Sequence, residues 1–289
     1  MRAIAEFVMR GRTQAIGVSV FSAALPFLQW LSTSVVSLVV LRRGMAEGSY
    51  VLIWAALPML GVYFLVGDLT PAILLFGTVA MAYTLRATAS WEMTLLASLV
   101  LSGLGGLLFE LTASSLVDQA VELYQEILQQ AKNQLTDPKQ KEAFVLPSLE
   151  ATRSLVLGFI TMGYAISMLI CLILARWWQS VLYNPGGFQQ EFHQIKLSPM
   201  VAGGLALAVL ACFSIEAMNR WVQVLTVPLI VAGLGFVHWF IKEKQLSGSW
   251  LVSIYIIVIL LRLFPVLVFL ALIDSWFDLR KKIRTNNEV

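Results

Sequence analysis

The sequence predicts an all-α fold, a polytopic transmembrane helical bundle of about eight to ten membrane segments with both termini cytoplasmic. Three observations carry this expectation. Of 289 residues, 58% are apolar and only 13% charged. Mean hydropathy is +0.80, far outside the usage of soluble domains. The apolar residues are gathered into long runs, and the basic ones into short clusters between them. A soluble domain so composed would have too few charged side chains to cover its surface, whereas lipid accepts apolar residues on every outward helix face.

The same features narrow the function. The net charge of +3 is spread over those clusters rather than gathered in one patch, so nucleic-acid binding has no support. Cys171 and Cys212 fall inside apolar runs, where each reads as a small buried hydrophobe and not as half of a disulfide. Neither His193 nor His238 has a cysteine or acidic cluster at ligand spacing, so no metal and no cofactor are expected. No cleavable signal peptide is expected, because equally apolar runs follow the first.

The chain opens with MRAIAEFVMRGR (1–12), which places Ile4, Phe7 and Val8 on one side with three arginines nearby, as in a short interfacial helix. Apolar runs follow at 13–41, 50–66, 70–85, 93–114, 154–175, 200–215, 221–241 and 250–273. A spanning helix needs roughly 20 residues, so the first and last runs are too long. Each holds a break, at Leu25-Pro26-Phe27 and at Arg262-Leu263-Phe264-Pro265, where proline removes a backbone donor. Reading both as hairpins of two short helices puts Arg42, Arg43, Arg86, Arg176, Lys196, Lys242 and Lys244 in the cytoplasm. Reading neither so puts them outside. The preference of Lys and Arg for cytoplasmic loops selects the hairpins, hence ten segments rather than eight.

Segment 116–150 is then extracytoplasmic. Leu116, Ala120, Tyr124, Leu128, Ala131 and Leu135 recur at helical spacing, which predicts an amphipathic helix up to Asp137-Pro138. Its polar side is acidic, so it reads as a cover over the outer mouth or a partner-docking helix rather than a lipid anchor. SGLGGLLF (102–109) brings small residues into a span and predicts close helix contact.

Charges near membrane depth are the functional pointers, because an unpaired charge in hydrocarbon costs several kcal/mol. Asp68, Glu110, Arg153, Glu216, Arg220 and Arg262 map to the outer ends of spans and are the candidate ligand-binding residues. Glu110 and Arg262, the two most enclosed by apolar neighbours, are expected to contact a ligand or to pair with each other. The plainer reading of such charges is that they anchor helix ends. Arg86 and Glu92 flank a short cytoplasmic turn, and Asp274 and Asp278 precede the basic tail 277–289, where they are expected to cap or pair with Arg280 and Lys281. No nucleophile has a base and an orienting partner, so no catalytic residue is assigned and no enzyme is expected.

In the cytoplasmic loop 179–199, Asn184-Pro185-Gly186-Gly187 reads as a helix stop and turn. It lacks the strand, the lysine and the spacing of a phosphate-binding loop. Phe188, Phe192 and Ile195 then recur at helical spacing. Asn184, Pro185, Gly186, Gly187, Phe188 and Glu191 form the candidate partner-docking surface.

RAIAEFVMRGR, LVVLRRGMAEG, NPGGFQQEF and LIDSWFDLRKKI together resemble the YybS-like family of bacterial integral membrane proteins, a domain of unknown function. That family is similar, more distantly, to the S components of energy-coupling-factor vitamin transporters and to the rod-shape membrane protein MreD. The resemblance implies a bacterial inner-membrane protein with a six-segment module at 13–178 and further segments at 200–276. The added segments and the long outer loop depart from a simple S component. It implies a transporter-like protein that binds or moves a small solute or lipid-linked molecule, without its own ATPase and with any energising partner separate. The alternative is an MreD-like scaffold in envelope assembly, and behind it an intramembrane enzyme acting on lipid.

Overall fold

The computed structural model describes residues 2–287, and the side chains of all of these except 216, 217 and 285–287. Among the described residues there are fifteen α-helices and no strand. Five helices are long and apolar enough to cross a membrane, or up to seven if two bent helix pairs each count as one. The chain is therefore a multi-pass helical membrane protein.

Helix α1 (Arg2–Arg10) packs at one end of the bundle. Ala5 and Val8 are its buried residues, while Phe7 is 44% exposed on the outer surface of the bundle. Helices α2 (Arg12–Ala24) and α3 (Gln29–Arg43) are parted by a 3-10 turn at Pro26–Leu28. They form the expected hairpin. Arg43 Nη2 donates to the Met9 carbonyl at 2.7 Å, and Arg12 pairs with Glu47 at 2.7 Å, so the start of α2 and the end of α3 share one end of the bundle.

That end is basic, and the rest of the path alternates from it. Helix α4 (Met45–Val66) leaves it, α5 (Thr70–Thr88) returns and α6 (Trp91–Thr112) leaves again. Pro71 in the first turn and Asp68, which accepts from Thr70 N–H at 2.8 Å, start α5; Ser90 caps α6 by accepting from Met93 N–H. At the far end lie α7 (Ser114–Gln134) and α8 (Pro138–Ala143). Helix α7 confirms the amphipathic helix, but its deepest residues are Val117 and Val121, and Ala131 is exposed. Only its first turns reach the bundle.

Helix α9 (Leu149–Tyr183) has 35 residues and is longer than the apolar run 154–175. From Arg153 to Arg176 it rises about 34 Å, close to a hydrocarbon thickness, and both ends continue beyond. It also gauges the hairpin. Arg42 lies 3.9 Å over the Tyr183 ring, Gln179 Nε2 donates to the Leu41 carbonyl at 3.3 Å, and Cys171 Sγ to the Trp30 carbonyl at 3.7 Å. The start of α3 thus stands level with Cys171, about 27 Å along α9 from Arg153. The α2–α3 hairpin enters from the basic end and turns back within the bundle. Its second arm is central: residues 32–41 are all buried among α2, α4, α5 and α9.

Helix α10 (Gly187–Gln194) lies at the basic end, α11 (Pro199–Ser214) leaves it, a 3-10 turn (Glu216–Trp221) caps the far end, and α12 (Val222–Glu243) returns. Helices α13 (Ser249–Leu260) and α14 (Phe264–Phe277) are bent by 118° at their break. Arg284 of α15 (Leu279–Asn287) pairs with Glu243 at 3.3 Å, and Lys196 with Asp278 at 3.0 Å, so α13 begins and α14 ends at the basic end. This is a second helical hairpin, as expected. Gly233, midway along α12, faces the Leu267 carbonyl, 2.3 Å from where a Cβ would stand. The tip of the hairpin therefore turns at mid-depth. Ten apolar segments result, five long and five short, and both described ends of the chain lie on one face.

Candidate functional site

At the far end α6, α9 and the 3-10 turn at 216–221 converge. Gly158 of α9 permits this approach, since a Cβ there would stand 2.8 Å from the Arg220 carbonyl, and Trp221 lies against Gly103. Gly106 of α6, 2.2 Å by the same measure from Thr161 Oγ1, shows the close contact expected of SGLGGLLF. Arg220 is thereby held over the last turn of α6.

Glu110 sits at the centre of the charges. Arg220 Nη1 donates to its Oε2 at 2.8 Å, and Arg153 Nε lies 3.7 Å from its Oε1. Arg153 also donates to Asp118 of α7. The Glu110 and Arg220 side chains are 26% and 27% exposed, so the pair is neither dry nor fully solvated. Three of these charges, Glu110, Arg153 and Arg220, line an open cleft of ≈ 450 Å³, whose walls include Glu150, Ser154 and Leu157.

Three of the candidate residues thus come together: Glu110, Arg153 and Arg220. Asp68 lies on the same end but serves the start of α5, beside the hydrogen bond shared by Thr70 Oγ1 and Tyr164 Oη at 2.9 Å. The side chain of Glu216 lies outside the described residues. Arg262 is the correction. It occupies the mid-depth tip of the α13–α14 hairpin, at φ 53°, exposed, and it makes no ion pair among the described residues. The expected Glu110–Arg262 pair is replaced by Glu110–Arg220, because a short hairpin cannot carry residue 262 to the far end. Glu150 was missed as a cleft residue and Asp118 as a partner of Arg153; their positions flanking Arg153 and following Glu110 in sequence are the only signal.

At the basic end, Gly186 adopts φ 86° and the chain turns after Asn184 as expected. Asn184, Pro185 and Gly186 are exposed, but Gly187 is buried. Phe188 N–H donates to Ser180 Oγ at 3.0 Å, and the Phe188 ring packs 6.2 Å from Trp91 and 5.9 Å from Phe192. Glu191 accepts from two nitrogens of Arg176. Half of the candidate docking surface is therefore turned onto the bundle. A polar cavity of ≈ 500 Å³ lies beside it, between the ends of α5, α6, α9 and α10.

These features define a class: a polytopic helical membrane protein with ion-paired polar clefts at both ends of its spans. Comparison with protein-family models, curated proteins and solved structures gives no match.

Proposed function

We propose that this is a non-catalytic membrane protein of transporter-like build, which binds a small solute or the polar group of a lipid-linked molecule in the cleft at Glu110, Arg153 and Arg220. The observation that carries this reading is the partly buried Glu110 shared between two arginines on the wall of an open cleft. Charges that only anchor helix ends reach outward to water; these converge across three elements. A carboxylate or phosphate on the solute would exchange with Glu110 for the two guanidinium groups, which recognise such groups through paired N–H donors. Glu150, on the same wall, suits an ammonium.

Charge bias supports the orientation: the end carrying Arg12, Arg43, Arg86 and Arg176 is cytoplasmic, and the cleft opens outward across a bacterial inner membrane. Kinship with the YybS-like family is part of the proposal and rests on the four quoted motifs. The S-component reading counts α2, α3, α4, α5, α6 and α9 as its six segments and remains part of the proposal. Energy for any transport would come from a partner or a gradient. The scaffold reading rests on the exposed tip Asn184-Pro185-Gly186 and on the acidic outer helix α7, whose Glu122 and Glu126 are exposed.

The test is a thermal-shift screen of the purified protein against amino acids, small carboxylates and phosphorylated envelope precursors. A stabilising solute whose effect disappears in Glu110→Gln and Arg220→Gln supports the reading. Partners that copurify through residues 184–186, with no stabilising solute, favour the scaffold.

A further inference from the structure

The cavity at the basic end differs from the far cleft in its hydrogen-bond balance. Most of its acceptors are engaged. Both Glu191 oxygens take Arg176, the Leu41 carbonyl takes Arg86 Nη1 and Gln179 Nε2, and Glu92 takes the amide of Ser198. Its donors are not. Arg86 has no carboxylate partner among the described residues and spends one N–H on Leu41. Trp91, 9% exposed on this wall, has an indole N–H without an acceptor. Ser90 caps α6 through Met93 N–H, so the first-turn amides of Trp91 and Glu92 have no bond, and they carry the positive end of a 22-residue helix. Lys196 turns to Asp278, whose side chain is 54% exposed and therefore water-screened.

A cavity with unused N–H donors and a guanidinium that lacks a carboxylate partner takes an acceptor-rich, anionic ligand. The geometry points to a phosphate site here, held by Arg86, the Trp91 indole and the start of α6. The cavity stands level with the ends of the spans, where phospholipid headgroups lie. The phosphate belongs either to an anionic lipid or to a soluble phosphorylated compound. This site is separate from the proposed solute cleft, at the opposite end of the bundle.

The experiment uses the full-length protein, purified and delipidated in a neutral detergent, with melting followed against three probes: phosphatidylglycerol, glycerol 3-phosphate and diacylglycerol. Saturable stabilisation by phosphatidylglycerol alone assigns a lipid headgroup, and stabilisation by glycerol 3-phosphate assigns a soluble phosphate. In either case Arg86→Gln weakens the apparent affinity about tenfold or more, as expected for loss of a charge-assisted hydrogen bond. Gln194→Glu, at an exposed position on the cavity wall, does the same by adding a like charge and decides the matter if Arg86→Gln does not fold. No stabilisation by either phosphate probe, equal stabilisation by diacylglycerol, or unchanged affinity in Gln194→Glu overturns the site.

Discussion

Arg280 closes on Asp274 with Nε 2.9 Å from Oδ2, and the two side chains are only 11% and 3% exposed. Arg280 also donates to the carbonyls of His193 and Ile195, at the end of α10, and lies beside the Phe236 and Trp239 rings. One guanidinium thus joins α14, α10 and α12. Removing it leaves a buried carboxylate unpaired, which typically costs about 3–5 kcal/mol. Arg280→Ala is expected to lower the unfolding free energy by roughly that amount, read by denaturant or thermal unfolding in detergent. The double variant Asp274→Asn/Arg280→Gln should recover part of the loss. An unchanged Arg280→Ala would show that the pair is not the clasp of this corner.

Helix contact through glycine gives a second prediction. A Cβ at Gly233 would stand 2.3 Å from the Leu267 carbonyl, whereas at Gly61 nothing lies within 4 Å. Gly233→Ala forces α14 away from α12 and is expected to destabilise by about 1–3 kcal/mol. Gly61→Ala should be neutral or slightly stabilising. Parallel melting curves of the two variants check both arms.

The hydrogen bond from Lys196 holds the Asp278 carboxyl below its ordinary range. A depressed folded value means that this contribution is fully present above the unfolded pKa, near 3.9, and is lost as pH falls through the lower folded value. With Asp278 half exposed, the effect is small, roughly 1 kcal/mol or less. Asp278→Asn should therefore flatten only the acid limb of the stability profile below about pH 4. A difference between variant and wild type confined to neutral pH would contradict the assignment.

The two hairpins make topology testable. Arg43→Cys and Leu246→Cys should react with a membrane-impermeant maleimide only after permeabilisation, and Asp137→Cys in intact cells. Labelling of residue 43 in intact cells would sink both the orientation and the hairpin path.

What the sequence made legible followed from local chemistry. Proline breaks at residues 26 and 265, with the arginine bias, were enough to read both hairpins, and the spacing from Leu116 onward was enough to read α7. The cleft was legible only in part. Local context marked Glu110 as enclosed, but its partner depended on how deep each segment runs, which hydropathy does not encode. Arg262 carries the same enclosed signature as Glu110 and lies at mid-depth instead. Arg220 reaches Glu110 because Gly158 admits the 216–221 turn, and a pairing across 110 residues leaves no trace in a single sequence. The inward turn of Phe188 and Glu191 was hidden likewise, since their partners Ser180, Trp91 and Arg176 belong to other helices.

The central claim is that Glu110, Arg153 and Arg220 hold a solute, and equilibrium binding of a stabilising solute from the thermal-shift screen tests it most directly. The account predicts saturable binding to wild type, binding retained in Arg262→Gln, and affinity weakened at least about tenfold in Arg220→Gln, whose fold is checked by its melting curve. Equal affinity in wild type and Arg220→Gln, with loss in Arg262→Gln, would contradict it.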